Sequence, residues 1–186
     1  LRWFTPTNEV PLCGHATLAT AHALWDSDRV DMNEEIRFQT ASGMLNTRNN
    51  KDMIEMDFPL IETESRNLEP QVEGFLATAL NVKIKESYRA GEDILILLED
   101  EALVRNLKPD LIQLKEMEVR GFIVTGPSTN SAYDFISRFF APRIGISEDP
   151  VTGSAHCALG PFWGKRLKKD ILTGYQASGR GGVVSV

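Results

Sequence analysis

The feature that most constrains the fold of this chain is a repeat between its two halves. Residues 2–6, RWFTP, resemble residues 138–142, RFFAP, and a short polar loop follows each segment. A helix is then expected to begin, with GHA at residues 14–16 and GSA at residues 153–155. Chance similarity is the alternative, but strand, proline, glycine and helix recur in the same order. The repeat predicts two similar lobes with one pseudo-symmetric site at their junction.

The chemistry of such a repeat favours the binding of an anion. Glycine at a helix start lets a ligand approach the backbone closely. The unpaired N–H groups and the positive end of the helix dipole attract a carboxylate or a developing oxyanion. Two such helix starts facing each other would hold a small carboxylated molecule from both sides.

Composition excludes several classes of protein. The 186 residues are 42% hydrophobic and carry 20 basic against 26 acidic side chains, a net charge of −6. An acidic chain without a basic stripe is a poor ligand for nucleic acid and for anionic membranes. No apolar run approaches the ~20 residues that a membrane-spanning helix needs. We therefore expect no nucleic-acid partner and no membrane partner.

Hydropathy patterning predicts an α+β chain in two parts. In the first part we expect a buried helix from residue 14 to about 25 and strands at 1–6, 36–40, 44–47 and 53–58. In the second part we expect helices at 72–80, within 101–116 and at 153–167, and strands at 84–90, 94–98, 121–125, 133–140 and 182–186. Residues 61–70 are polar and lack periodicity, so we place the lobes at 1–62 and 63–186.

The segment before the second helix holds a candidate acid. Pro150 restricts Asp149 to an extended conformation, just upstream of the helix that begins at Gly153. An acid held there could transfer a proton to and from a bound ligand. Alternatively, Asp149 or Thr152 only caps the helix. The pattern alone leaves both interpretations open.

The segment before the first helix offers His15 and Glu9. His15 could hydrogen-bond a ligand or relay a proton, although a lone histidine at a helix start is more often structural. Ser154 takes the matching place in the repeat, which favours a functional role for this position. Glu9 could be catalytic, but a structural carboxylate that bonds loop amides is the more common case.

Two cysteines, Cys13 and Cys157, do not make a disulfide framework and favour a reducing compartment such as the cytoplasm. A helix start would stabilise a thiolate at Cys13, as a cysteine-based racemase requires. The matching place in the other half is Thr152, which disfavours a two-thiol mechanism. The three histidines show no metal-ligand spacing, so no metal is expected, and we expect His22 to pack on the buried helix.

Two motifs resemble the signatures of the phenazine-biosynthesis PhzF-like family. The first is residues 2–19, RWFTPTNEVPLCGHATLA, and the second is residues 148–156, EDPVTGSAH. Together and in this order they are highly specific, the likeness covers essentially the whole chain, and the eukaryotic members are the closer match. The resemblance implies the diaminopimelate-epimerase-like fold. That fold is α+β, with two pseudo-symmetric lobes, each a curled mixed β-sheet around a central helix.

The resemblance also implies a site and a reaction. The best-understood member isomerises trans-2,3-dihydro-3-hydroxyanthranilate by moving a proton between ring positions, with neither a metal nor an organic cofactor. By motif, His15 and Asp149 match catalytic residues of a site between the lobes. Gly14, Gly153 and Ser154 match substrate-binding positions at its two helix starts. A homodimer is implied by the family likeness alone.

One part of the family pattern is absent from this sequence. The family's principal acid–base residue is a glutamate in an Asn-Leu-Ser-Glu-like motif upstream of the first signature, and this sequence begins after that point. The closing strands of the family fold are also absent after Val186. We therefore expect an incomplete first lobe, in either a fragment of a longer enzyme or a naturally shortened form.

Three hypotheses follow. The leading one is a cofactor-independent isomerase that moves a proton on a small carboxylated substrate by acid–base catalysis. The second is a non-catalytic binding or regulatory protein that keeps the fold, because the upstream glutamate is missing. The third is a cofactor-independent racemase or epimerase of amino or hydroxy acids that uses Cys13.

Overall fold

A computed structural model describes residues 1–4, 9–10, 12–50 and 53–186, and these form two compact units, Leu1–Pro59 and Leu60–Val186. The sequence-based lobe boundary between residues 62 and 63 stays a prediction. Across the described ranges, no helix is both long enough and apolar enough to cross a membrane.

The first unit packs a helix against a small sheet. Its described elements are β1 (Trp3–Phe4), β2 (Glu9–Val10), α1 (Gly14–Asp26), β3 (Ile36–Thr40), β4 (Gly43–Asn50) and β5 (Met53–Asp57). Strands β3, β4 and β5 form a three-stranded antiparallel sheet, and β1 pairs with β2. The predicted strand 36–40 and the predicted helix from residue 14 are confirmed. Of the predicted strand 1–6, residues 5 and 6 lie outside the described residues.

Helix α1 buries only one of its faces. Gly14, Thr17, Ala21 and Trp25 are buried, and their spacing of three or four residues places them on one side of the helix. His22 is exposed. The expected buried helix is therefore buried on one face only, and the expectation that His22 packs on it is wrong. The alanines on the other face suit a helix because alanine has the highest helix propensity, whether or not it is buried.

The second unit is built on a mixed sheet. Its elements are β6 (Thr63–Asn67), α2 (Pro70–Leu80), β7 (Glu86–Ala90), β8 (Asp93–Leu97), α3 (Glu101–Arg105), α4 (Leu111–Lys115), β9 (Gly121–Pro127), β10 (Phe135–Ala141), a 3-10 turn (Pro142–Ile144), β11 (Ile146–Asp149), α5 (Gly153–Leu167), β12 (Thr173–Gln176) and β13 (Gly182–Ser185). The strand order is β13-β12-β10-β9-β8-β7-β6, with β11 also paired to β10. The β8–β9 and β10–β12 pairs are parallel, and the other pairs are antiparallel. The predicted strands 84–90 and 94–98 correspond to the antiparallel pair β7–β8, and the predicted helix 153–167 is confirmed.

Strand β10 alternates its side chains between two cores. Phe135 and Phe139 pack with the buried side chains of α5, whereas Ile136 and Phe140 pack with those of α2, α3 and α4. Such alternation between two apolar faces is typical of a strand that is covered on both sides. Helix α5 therefore lies on one face of this sheet.

Aromatic packing holds α5 in place. The ring of Trp163 stacks on Phe135 with 5.8 Å between the centroids, and its Nε1 donates to Oγ1 of Thr125 at 3.0 Å. Burial of one large side chain contributes about 1.5–3 kcal/mol. The start of α5, where the candidate residues lie, is thus positioned by buried contacts further along the same helix.

The sequence does not predict strands β6, β11 and β12. Strand β6 is at the edge of the described sheet and has a register shift between Thr63 and Asn67, so its polar residues need not alternate. Strands β11 and β12 have four residues each, too few for a period to be recognised. Strand β11 nevertheless confirms that Asp149 is extended, as Pro150 requires.

The close packing of β12 on β10 is testable at Gly174. A Cβ atom at this position would lie 2.4 Å from Cζ of the buried Phe135. We expect Gly174→Ala to lower the free energy of unfolding by about 1–3 kcal/mol, because overpacking forces neighbouring atoms to shift. Gly179→Ala is the matched control, since a Cβ atom there meets nothing within 4 Å. Urea unfolding measures both variants, and equal stabilities would contradict this packing.

Candidate active site

The second helix start is organised around Thr152, the N-cap residue of α5. Its side chain makes no capping hydrogen bond, and Oγ1 instead donates to Oδ2 of Asp149 at 2.5 Å. Its backbone N–H donates to Oε1 of Gln176 at 2.7 Å. Its carbonyl oxygen accepts from Nδ1 of His156 at 2.8 Å. Thr152 therefore joins the candidate acid to two buried side chains.

Gln176 touches the candidate acid, although sequence analysis does not single it out. It ends β12, and only 1% of its surface is exposed. Its Nε2 donates to the carbonyl oxygen of Asp149 at 2.8 Å and to Oγ1 of Thr152 at 3.1 Å. These contacts join residues 24 to 27 positions apart, whereas a motif is a local pattern. A polar residue in a short strand is the only signal that the sequence offers.

Asp149 is half-buried, and one of its two carboxylate oxygens accepts a hydrogen bond. Oδ2 accepts from Thr152, and Oδ1 has no hydrogen bond within the described part of the chain. The alternative in which the Thr152 side chain caps the helix is therefore not seen. Gly153 and Ser154, in the first turn of α5, are also half-buried. A carboxylate, a hydroxyl and helical N–H groups thus lie together at this helix start.

His156 has a structural role in this arrangement. A carbonyl oxygen only accepts, so the bond to Thr152 requires the proton on Nδ1. Burial lowers the pKa of His156, because the charged ring would lose its hydration. Nε2 is buried without a hydrogen-bond partner among the residues that the structure describes. The ring is therefore neutral and holds the carbonyl of the N-cap residue.

The first helix start has a related geometry. Cys13 is the N-cap residue of α1, and its carbonyl oxygen accepts from Oγ1 of Thr17 at 2.8 Å. The Sγ atom of Cys13 lies 3.4 Å from Nε2 of His15, whose ring is exposed. Gly14 is buried, and a Cβ atom there would lie 3.0 Å from Cζ of Phe58. A larger residue at this position would therefore require the ring of Phe58 to shift by a few tenths of an ångström.

The repeat extends to an ion pair that the sequence analysis missed. In the first unit, Arg2 donates from Nε and Nη2 to the two carboxylate oxygens of Glu9, both at 2.7 Å. In the second unit, Arg138 bonds Glu148 in the same two-pronged way, at 2.7 and 3.0 Å. Arg2 directly precedes β1 and Glu9 begins β2, whereas Arg138 lies in β10 and Glu148 in β11. In both copies the two strands are antiparallel and precede a helix start. The two copies therefore share a local scaffold, which is the structural basis of the sequence repeat.

The scaffold explains Glu9 without a catalytic role. Hydrogen bonds from Arg2 lower the pKa of Glu9, so the carboxylate is ionised and paired. Its described partner is this guanidinium, and residues 5–8 and 11, among which the sequence suggested amide partners, lie outside the described residues. The register also aligns the two copies, because Trp3 faces Val10 and Phe139 faces Asp149. The first copy therefore has valine where the second has the candidate acid.

The thiols and histidines offer little other chemistry. Burial raises the pKa of the Cys157 thiol to about 11, so this residue is protonated near neutral pH. This argues further against a two-thiol mechanism with Cys13. Within the described ranges, no group of three or more histidine, cysteine, aspartate or glutamate side chains could hold a metal ion. The predicted pairing of the two helix starts across one cleft stays a prediction.

The two ion pairs give a matched test of the scaffold. The side chains of Arg138 and Glu148 are only 12% and 24% exposed. We expect Glu148→Gln to lower the free energy of unfolding by about 1–3 kcal/mol, because it leaves a nearly buried guanidinium without its carboxylate. Glu9→Gln is the control. The side chains of Arg2 and Glu9 are 68% and 40% exposed, so we expect no resolvable change in the free energy of unfolding. Urea unfolding checks both variants, and the opposite ranking would contradict the role given to Arg138.

A family model described as "Phenazine biosynthesis-like protein" (PhzC-PhzF) matches residues 1–186. An uncharacterised isomerase of Halalkalibacterium halodurans is 45% identical over 186 residues, which cover 100% of this chain and 69% of that protein. Phenazine biosynthesis-like domain-containing protein 1 of Mus musculus is 40% identical over 200 residues, which cover 100% of this chain and 69% of that protein. The expectation that eukaryotic members are the closer match is therefore wrong for these two relatives, because the bacterial protein has the higher sequence identity.

Solved structures agree with these matches. A PhzF-family protein of Enterococcus faecalis superposes with a TM-score of 0.89 at 42% identity, covering 99% of this chain and 68% of that one. A PhzC/PhzF protein of Clostridium difficile superposes with a TM-score of 0.86 at 39% identity, with coverage of 99% and 68%. The chain thus spans about two thirds of the length of the proteins it resembles.

Proposed function

Since this chain belongs to the PhzC-PhzF family of phenazine biosynthesis-like proteins, we propose that it is a cofactor-independent isomerase that moves a proton on a small carboxylated substrate. Its fold is the α+β, diaminopimelate-epimerase-like fold of that family. Relatives named as isomerases in Halalkalibacterium halodurans and Pseudomonas aeruginosa support an isomerase of the family.

The observation that carries the proposal is the setting of Asp149. Its carboxylate stands at the start of a buried helix, with Oδ2 held by Thr152 and Oδ1 unengaged among the described residues. A carboxylate with one anchored oxygen can take a proton from a substrate carbon and return it elsewhere on the same molecule. General acid–base catalysis of this kind needs no metal and contributes about 10² to 10⁴ in rate.

The remaining site residues bind and orient the substrate in this proposal. The N–H groups that follow Gly153, together with the Ser154 hydroxyl, can donate to a substrate carboxylate at the positive end of α5. His15, exposed at the start of α1, donates to the ligand or relays a proton from the other side. Gly14 places the α1 backbone close to the ligand. The family likeness adds a homodimer and, with the free thiols of Cys13 and Cys157, a cytoplasmic location.

The test uses the polypeptide as it occurs in its natural source, because the family pattern places its acid–base glutamate upstream of the first signature. The protein is incubated in D2O with trans-2,3-dihydro-3-hydroxyanthranilate and with other small carboxylates. Proton NMR then follows the entry of deuterium at carbon. We expect the wild-type protein to catalyse exchange into at least one of these probes.

Replacement of the acid tests the role of Asp149 directly. We expect Asp149→Asn to slow the exchange by about 10² to 10⁴, because the amide cannot accept the proton. Asp170→Asn is the matched control, since Asp170 is an exposed aspartate after the end of α5. Equal exchange by Asp149→Asn and wild type would contradict the role of Asp149. Tight binding of a probe without any exchange by the wild type would contradict the isomerase and favour a binding protein.

A further inference from the structure

We infer that Gln176 is a positioning residue for Asp149 and acts through the hydroxyl of Thr152. The inference rests on the proposed function of Asp149 as the acid–base group. It follows from the direction of each hydrogen bond, from the place of Gln176 in the sheet, and from the comparison of the two copies of the repeat.

The orientation of the Gln176 amide is fixed by its partners. The N–H of Thr152 can only donate, so the atom that faces it at 2.7 Å is the oxygen Oε1. The carbonyl of Asp149 can only accept, so the atom that faces it at 2.8 Å is the nitrogen Nε2. Reversal of the amide would break both bonds and bring like groups together. The amide therefore has a single orientation.

This orientation also sets the direction of the Thr152 hydroxyl. Nε2 of Gln176 donates to Oγ1 at 3.1 Å, which occupies one of the lone pairs of that oxygen. The single hydroxyl proton is then given to Oδ2 of Asp149 at 2.5 Å. A directional chain of donors thus runs from the sheet to the candidate acid, and it presents Oδ1 as the oxygen that exchanges protons with a substrate.

The sheet explains how one side chain reaches both partners. Strand β12 pairs with β10 at Ser137, and β11 pairs with β10 at Phe139. Strand β9 pairs along the opposite edge of β10, so β11 and β12 follow one another along the same edge. Gln176 ends β12 and faces the end of β11, where Asp149 lies. Its side chain bridges the gap between the two strands.

Among the described residues of the first copy, no side-chain amide bridges the helix start. There, the N-cap residue is Cys13, and its Sγ contacts His15. Its carbonyl is nevertheless bonded by Thr17, as the carbonyl of Thr152 is bonded by His156. The amide bridge accompanies the copy that carries the acid, which indicates that it serves the acid and not the helix.

Orientation of this carboxylate should matter for rate more than for binding. An Asp side chain that is free to rotate presents Oδ1 correctly only part of the time, and misplacement by about 1 Å can cost 10²-fold. We therefore expect Gln176→Leu to lower kcat for deuterium exchange by about 10- to 100-fold and to change KM by less than about twofold. Thr152→Val should have the same effect, Thr152→Ser should keep near-normal kcat, and the double variant should be no worse than Gln176→Leu.

Gly174→Ala separates positioning from a general loosening of β12. This variant strains the same strand through Phe135, whose ring centroid lies 6.0 Å from that of His156, and it leaves Gln176, Thr152 and Asp149 unaltered, so it should keep the wild-type kcat. If Gly174→Ala lowers kcat as much as Gln176→Leu, the effect belongs to strand stability and the inference is overturned. If Gln176→Leu does not fold, the contrast between Thr152→Val and Thr152→Ser carries the test.

A spectroscopic readout works without any substrate. A buried hydroxyl that donates to a carboxylate exchanges slowly, so the Thr152 hydroxyl proton should appear in the proton NMR spectrum, be absent from Thr152→Val and be lost in Gln176→Leu. If the wild type exchanges deuterium into no probe, the proposed function fails, yet this resonance still decides the role of Gln176. Retention of the resonance in Gln176→Leu would overturn the inference, whether or not exchange into a probe is measurable.

Discussion

The second helix start depends on one constraint: the polar groups of Thr152 are buried and must be hydrogen-bonded. A buried group that loses its partner costs about 1–3 kcal/mol. Three different elements meet this demand, because β12 supplies Gln176, α5 supplies His156 and β11 supplies Asp149. These hydrogen bonds, which we call the Thr152 junction, therefore fix β11, β12 and α5 relative to one another. The orientation of the candidate acid is a consequence.

The two copies of the repeat share their scaffold and differ in their chemistry. Each has an arginine–glutamate pair between two strands and a side chain that bonds the N-cap carbonyl. The matched positions that differ include Val10 and Asp149, and also His15 and Ser154.

The sequence predicted the elements that are long enough to show a hydropathy period, and the features that depend on neighbouring residues. Helix α5 has its predicted bounds because its 15 residues span several helical turns, over which the apolar residues recur. Asp149 is extended, as predicted, because Pro150 follows it. The sequence could not predict Gln176, since its partners lie 24 to 27 residues away and β12 is too short to show alternation. It overestimated the burial of α1, because alanines mark helix propensity and not burial.

The most direct test of this account is the amide hydrogen exchange of Thr152, measured by NMR in the absence of any ligand. The N–H group of Thr152 donates to a side chain that is 1% exposed, at the start of a helix where amides are usually free to exchange. We predict protection comparable to that of the central strand β10, because opening would require the loss of the whole junction. Exchange as fast as that of an exposed loop would show that the junction is not formed before the substrate arrives, and it would contradict the account.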